Sequence, residues 1–194
     1  MGDSFVLGVG DPECLGWTGR VARRALAAGH NVTSYNIGIR GETTHDIFRR
    51  WRAEVKRRLE GDFDGRVVFS FGLNDIANVD NGVTITIADT VHVAEKIVLE
   101  SIKEYKTLWI GPPPVADPVR SRFIGRISKA FEKLAVSKKI KFLNVFDSLK
   151  RSKVWMAEVE NNDGSHPGAE GYEEFARLVL AWPSWWYRLK SIPS

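Results

Sequence analysis

The chain predicts an α/β fold, a three-layer α/β/α sandwich in which a mostly parallel sheet carries helices on both faces. Three observations lead there. Short runs of branched and aromatic residues, Arg66-Val67-Val68-Phe69-Ser70-Phe71 and Thr107-Leu108-Trp109-Ile110, read as buried strands. Longer stretches between such runs carry apolar residues at helical spacing. Strand and helix alternate along the chain, the pattern of βαβ units. At 194 residues the chain is long enough for one well-buried core and short for two. Residues 1–194 are therefore expected to form one domain, with 183–194 as an aromatic carboxyl-terminal tail.

The elements follow in order. After Ser4, residues 5–19 are rich in Gly and contain Pro12, which reads as a loop. A helix follows over about 17–28, ended by Gly29. Residues 32–37 alternate enough for a short strand, and Gly38 and Gly41 then force a turn. Thr43 or Thr44 caps a helix over about 46–59, whose Ile47, Phe48, Trp51 and Val55 fall on one face. The strand over 66–71 is followed by a helix over 86–105 and a strand over 107–110. Gly111-Pro112-Pro113-Pro114 stops that strand and is expected to form one wall of a cleft. A helix over 119–137, a strand over 141–146 and a last helix over 171–182, stopped by Pro183, complete the pattern.

Composition narrows the function classes. With 43% hydrophobic and 27% charged residues the chain is a soluble globular protein rather than a disordered one. The net charge of +4 is modest, and the basic clusters Arg20–Arg24, Arg49–Arg52 and Lys56–Arg58 lie on predicted helices. Glu54, Glu60 and Asp62 interrupt them, so they read as solvated helix faces and no nucleic-acid partner is expected. A single cysteine, Cys14, excludes an internal disulfide. No apolar run reaches the length of a membrane span, and no basic-then-apolar leader precedes Gly2, so a cytoplasmic protein is expected. His30, His45 and His92 are scattered without metal-ligand spacing, and Gly8-Val9-Gly10 lacks the third glycine of a dinucleotide fingerprint. Neither a metal nor a cofactor is expected. The aromatic tail, Trp182-Pro183-Ser184-Trp185-Trp186-Tyr187-Arg188-Leu189-Lys190, has two readings: its rings cover the body of the domain, or they meet a lipid surface or a second subunit.

Four remote segments carry chemistry. They are Gly2-Asp3-Ser4, Asn36 to Thr43 around Gly41, Gly72-Leu73-Asn74-Asp75, and Asp163-Gly164-Ser165-His166-Pro167. Singly, each is a turn or a helix cap. Together they offer a hydroxyl nucleophile, a base, a carboxylate to orient the base, and donors for an oxyanion, which are the parts that acyl transfer needs.

In this order and company the segments resemble the SGNH, or GDSL-type, esterases and lipases. Gly2-Asp3-Ser4 matches the family's first block, and Asn36, Gly41 and Thr43 match Asn-x-x-x-x-Gly-x-Thr. Gly72 to Asp75 match Gly-x-Asn-Asp, and Asp163 with His166 match Asp-x-x-His. The resemblance implies a flavodoxin-like sheet and a serine-dependent carboxylester hydrolase acting on small acyl or acetyl esters, without a cofactor. It assigns the nucleophile to Ser4, the base to His166, its orienting partner to Asp163, and the oxyanion donors to Ser4, Gly41 and Asn74. Asp3 and Asp75 are left to structural roles, and Asn36 and Thr43 to bracing the turn. The family places an apolar strand directly before Gly-Asp-Ser, whereas Met1 alone precedes Gly2 here. Either that strand lies upstream, or its central place in the sheet is empty and Ser4 hangs on a loose end. In the second case the chain is expected to be a binding module with an impaired nucleophile.

Overall fold

The computed structural model describes residues 1–75 and 86–187. Its element order is α1 (Ser4–Leu7), α2 (Gly16–Ala27), α3 (Thr44–Leu59), β1 (Arg66–Ser70), α4 (Ile87–Glu104), β2 (Lys106–Ile110), α5 (Pro118–Ser137), β3 (Phe142–Leu143), α6 (Phe146–Arg151), α7 (Lys153–Asn161) and α8 (Ala169–Ala181). The three strands are parallel in the order β1-β2-β3, with Val68 opposite Leu108 and Trp109 opposite Phe142.

Period-2 alternation along the strands separates two cores. Val67 and Phe69 of β1 and Trp109 of β2 face α3, α4 and α5, where Trp51, Ile97 and Phe131 are fully buried. Leu108 and Ile110 face the other side, where Phe5, Trp17, Trp155, Tyr172 and Phe175 fill the space under α1, α2, α7 and α8. Helices thus cover both faces, as the pattern predicts. Their starts are set by polar caps: Thr43 and Thr86 each form a reciprocal box with an aspartate three residues on, Asp46 and Asp89.

Several elements differ from expectation. Residues 4–7 form one helical turn rather than loop, because Asp3 caps it by accepting from the Phe5 N–H. The strand expected over 141–146 stops after Leu143. Asn144 Oδ1 accepts from Ser128 Oγ and from the Phe146 N–H, which starts α6 instead. α6 and α7 had no predicted counterpart. Residues 32–37 are not a strand, and only Gly38 makes a bridge there, to Gly2.

Gly2 itself bridges in parallel to both Gly38 and Ser70. The Met1 amine donates to the Val68 carbonyl at 2.9 Å, the Ser70 N–H donates to Met1 O, and the Ile39 N–H donates to Gly2 O. Two residues therefore hold the place between Gly38 and β1, and Ser4 is fixed rather than loose, which corrects that expectation. The fit requires glycine at position 2: a Cβ there would stand 1.9 Å from the Ser70 carbonyl oxygen. An apolar cavity of about 160 Å³ remains, between Val67 and Val68 on one side and Ile37, Trp17, Val21 and Trp185 on the other.

Of the tail, residues 183–187 are described and Arg188 to Lys190 lie outside the described residues. Trp185 is buried in the core, and the Trp186 and Tyr187 rings sit on the Arg66 guanidinium at 5.6 and 5.1 Å. Its aromatic part covers the body, the first of the two readings. No helix among the described residues is long and apolar enough to cross a membrane.

Candidate active site

The four segments converge beyond the carboxyl end of β1, where a parallel sheet gathers function. Ser4 opens α1 and is 2% exposed. Its Oγ lies 2.8 Å from His166 Nε2, and His166 Nδ1 lies 2.7 Å from Asp163 Oδ2. Asp163 Oδ1 accepts from the Ser165 N–H at 3.0 Å and the His166 N–H at 2.8 Å. The aspartate thus folds its own loop into a turn that presents the histidine beside it. Burial alone would raise the Asp163 carboxyl. The bonds from the His166 backbone and ring and from Ser165 outweigh it and bring the carboxyl down to about 2. An ionised Asp163 accepts from Nδ1–H, which sets the tautomer of a neutral imidazole with its proton on Nδ1. Nε2 is then left to accept from the Ser4 hydroxyl.

The histidine is braced from several sides. The Phe5 ring lies against it, centroids 4.9 Å apart. Asn162 Nδ2 donates to the His166 carbonyl, and the Ala116 N–H donates to Gly164 O. The 111–115 stretch is buried beneath this loop, with Pro114 O accepting from Trp155 Nε1, so it supports the histidine loop from below.

The donor side is built by the second and third segments. Asn74 Nδ2 donates to Glu42 O at 3.0 Å, which ties Gly72-Leu73-Asn74-Asp75 to the turn carrying Gly41. An amide has two N–H donors, so one remains for a ligand. Gly41 adopts φ +81°, a left-handed conformation that a side chain would strain. Asn36 donates to Val6 O and accepts from the Gly38 N–H, bracing the turn on α1. Asp75 accepts from Thr44 through both its N–H, at 2.8 Å, and its Oγ1, at 2.6 Å. Asp3, fully buried, has its carboxyl pushed up to about 7, chiefly by desolvation, against backbone bonds of which the Phe5 N–H gives the larger.

The structure brings together Ser4, His166 and Asp163, and links Asn74 to the Gly41 turn. Sequence reasoning passed over Arg40, whose guanidinium stands 3.7 Å from Asp163 Oδ2. It also passed over Phe5 and Asn162. Arg40 could have been flagged by its place directly before Gly41, whereas Phe5 and Asn162 give no signal until the loops are folded. The largely apolar cavity beside Met1 is lined by none of the three convergent residues and lies at the other end of β1.

Solved structures of known proteins share this fold. The lipase/acylhydrolase of Enterococcus faecalis is 26% identical, with 92% of this chain and 90% of that chain covered and a TM-score of 0.73. The acetylxylan esterase of Geobacillus stearothermophilus is 18% identical over 98% of this chain and 94% of that one, TM-score 0.74. LAE5, an alpha/beta hydrolase from the Lake Arreo metagenome, is 17% identical over 93% and 91%, TM-score 0.73. No curated protein sequence matches the chain. The profile of the GDSL-like lipase/acylhydrolase family matches residues 1–174, and the chain belongs to that family as a hydrolase of ester bonds.

Proposed function

We propose that the protein is a serine-dependent carboxylester hydrolase working through Ser4, His166 and Asp163 on small acyl or acetyl esters, acylated carbohydrate among them. The observation that carries the reading is the unbroken chain of 2.8 Å and 2.7 Å contacts from hydroxyl to imidazole to an ionised carboxylate. The Geobacillus enzyme, an acetylxylan esterase, is known as catalytic mutants at a serine, at an aspartate, and at a histidine three residues beyond that aspartate. Asp163 and His166 have the same spacing.

In the first half-reaction Ser4 Oγ attacks the ester carbonyl carbon while its proton passes to His166 Nε2. Asp163 stabilises the imidazolium that forms. The oxygen that gains charge is met by the Ser4 and Gly41 N–H groups and the remaining Asn74 amide proton. His166 returns its proton to the departing alcohol, leaving an acyl-serine. Water, deprotonated by the same nitrogen, releases the acid and restores Ser4.

The test is hydrolysis of 4-nitrophenyl acetate by the purified chain and by Ser4→Ala. Turnover that disappears in the variant supports the reading, and turnover that survives it removes Ser4 from its role.

A further inference from the structure

We propose that Arg40 and Arg120 form an anion subsite at the mouth of the catalytic cleft, so that the substrate class is an ester carrying a carboxylate or phosphate near the scissile bond. The proposal rests on the hydrolase reading above.

Both guanidiniums lean on the short loop that delivers His166. Arg40 NH2 stands 3.7 Å from Asp163 Oδ2, and Arg120 NH1 stands 3.4 Å from Ser165 Oγ. Among the described residues Arg40 has this one long ion pair and Arg120 this one long hydrogen bond from its guanidinium. Asp163 already accepts at both oxygens, from the His166 ring and from two backbone N–H groups. Ser165 offers Arg120 a neutral oxygen at the limit of hydrogen-bonding reach. Asp117, the neighbouring carboxylate, is taken up in capping α5 through the Arg120 N–H at 2.6 Å.

Several arginines elsewhere meet a carboxylate at short range: Arg24 with Glu173, Arg50 with Glu42, Arg52 with Glu104, Arg58 with Glu54 and Arg66 with Asp64. The arginines flanking the catalytic loop are left with unused forked donors. That is the geometry in which arginine recognises carboxylate and phosphate. Arg40 is 67% exposed and directly precedes Gly41 in the chain. Ile39 and Val119, each beside one of these arginines, are exposed as well. Each cation therefore has an apolar neighbour, which suits an anion held on a short apolar spacer.

The experiment compares matched esters that differ in one charge. Mono-4-nitrophenyl glutarate against 4-nitrophenyl pentanoate places the charge on the acyl side, and 4-acetoxybenzoate against its methyl ester, followed by acetate release, places it on the alcohol side. The expected result is a preference in kcat/KM for the charged member of at least one pair. That preference should fall about fivefold in Arg40→Gln or Arg120→Gln, the scale of one solvent-exposed ion pair. It should be partly kept in the lysine variants and weaken in about 1 M salt, where charges are screened beyond about 3 Å. An unchanged ratio in both pairs, or an equal fall for charged and neutral members, overturns the subsite, the equal fall assigning the arginines to positioning Asp163. Absence of Ser4-dependent turnover of 4-nitrophenyl acetate overturns the hydrolase reading and the subsite with it. Turnover of that ester without charge preference overturns the subsite alone.

Discussion

Asp163→Asn separates the chemistry of the site from its architecture. The amide keeps one oxygen, and with it the turn made by the Ser165 and His166 N–H groups. What changes is the atom facing His166 Nδ1, now 2.7 Å from a carboxylate oxygen and in the variant from an N–H donor. The imidazole must then carry its proton on Nε2, which points a donor at Ser4 Oγ and leaves the hydroxyl without an acceptor. In other serine triads this tautomer change lowers kcat about 10⁴-fold. The Asp163 side chain is 38% exposed, so water can partly solvate a misplaced proton. The expected loss is therefore toward 10³-fold, about 4 kcal/mol at 1.36 kcal/mol per decade. Arg40 cannot compensate, because guanidinium has no acceptor. The assay is kcat on 4-nitrophenyl acetate beside the melting temperature. The wild type should also lose stability as pH falls through about 2, because its folded carboxyl lies below the ordinary value near 3.9, and this acid loss should shrink in the variant. A variant that melts like the wild type yet keeps more than a tenth of its kcat would refute the assignment of the tautomer to Asp163.

Asn74→Ala should lower kcat about 100-fold through loss of one oxyanion donor, and a loss under threefold in a folded variant excludes that role. Gly2→Ala, which drives a Cβ to 1.9 Å from the Ser70 carbonyl, should cost roughly 3 kcal/mol in urea unfolding by parting Met1–Gly2 from β1. Wild-type stability with this variant would show that Gly2 is not wedged against Ser70. Asp3, whose folded carboxyl near pH 7 exceeds its unfolded value, keeps a proton that the unfolded chain releases. Stability should therefore drop as pH rises from about 4 to 7, by at most about 4 kcal/mol. Asp3→Asn, which can still cap the Phe5 N–H, should flatten that slope; parallel slopes would assign the titration elsewhere.

What was legible in the sequence was what local signals decide. β1 and β2 announce themselves by apolar runs bounded by turns, and α3 by its cap and periodic face, because both sides of those elements meet ordinary partners. Residues 32–37 have the composition of a strand but no ladder to join, since only Gly2 reaches them, through Gly38. Strand formation is a property of pairs, which one segment cannot disclose. The run at 141–146 was overruled by a side chain: Asn144 spends its oxygen on the start of α6. Ser4, His166 and Asp163 were readable because spacing within each segment is local chemistry. Phe5 was not, since its relation to His166 exists only after chain segments more than a hundred residues apart have met.

The carboxylates of the site explain why its polarity works at neutral pH. Asp163 and Asp3 flank the same Ser4–His166 contact, from the histidine loop and from the residue before the nucleophile. Their environments push their carboxyl values apart, to about 2 and about 7. Full burial, with Asp75 and Glu42 nearby, raises Asp3 against its backbone bonds, whereas Asp163 is half-exposed and accepts from two backbone N–H groups and an imidazole. Asp75, buried as well, is also raised by desolvation although Thr44 bonds both its oxygens. The dependable negative charge thus sits beside the imidazole, where it favours the imidazolium. Next to Ser4, where the carbonyl oxygen must become an anion, the carboxyl is largely held in its neutral form below pH 7. An ionised group there would oppose the charge that the Ser4, Gly41 and Asn74 donors gather. In the proposed mechanism the separation of the two carboxyl values thus complements the contacts among Ser4, His166 and Asp163.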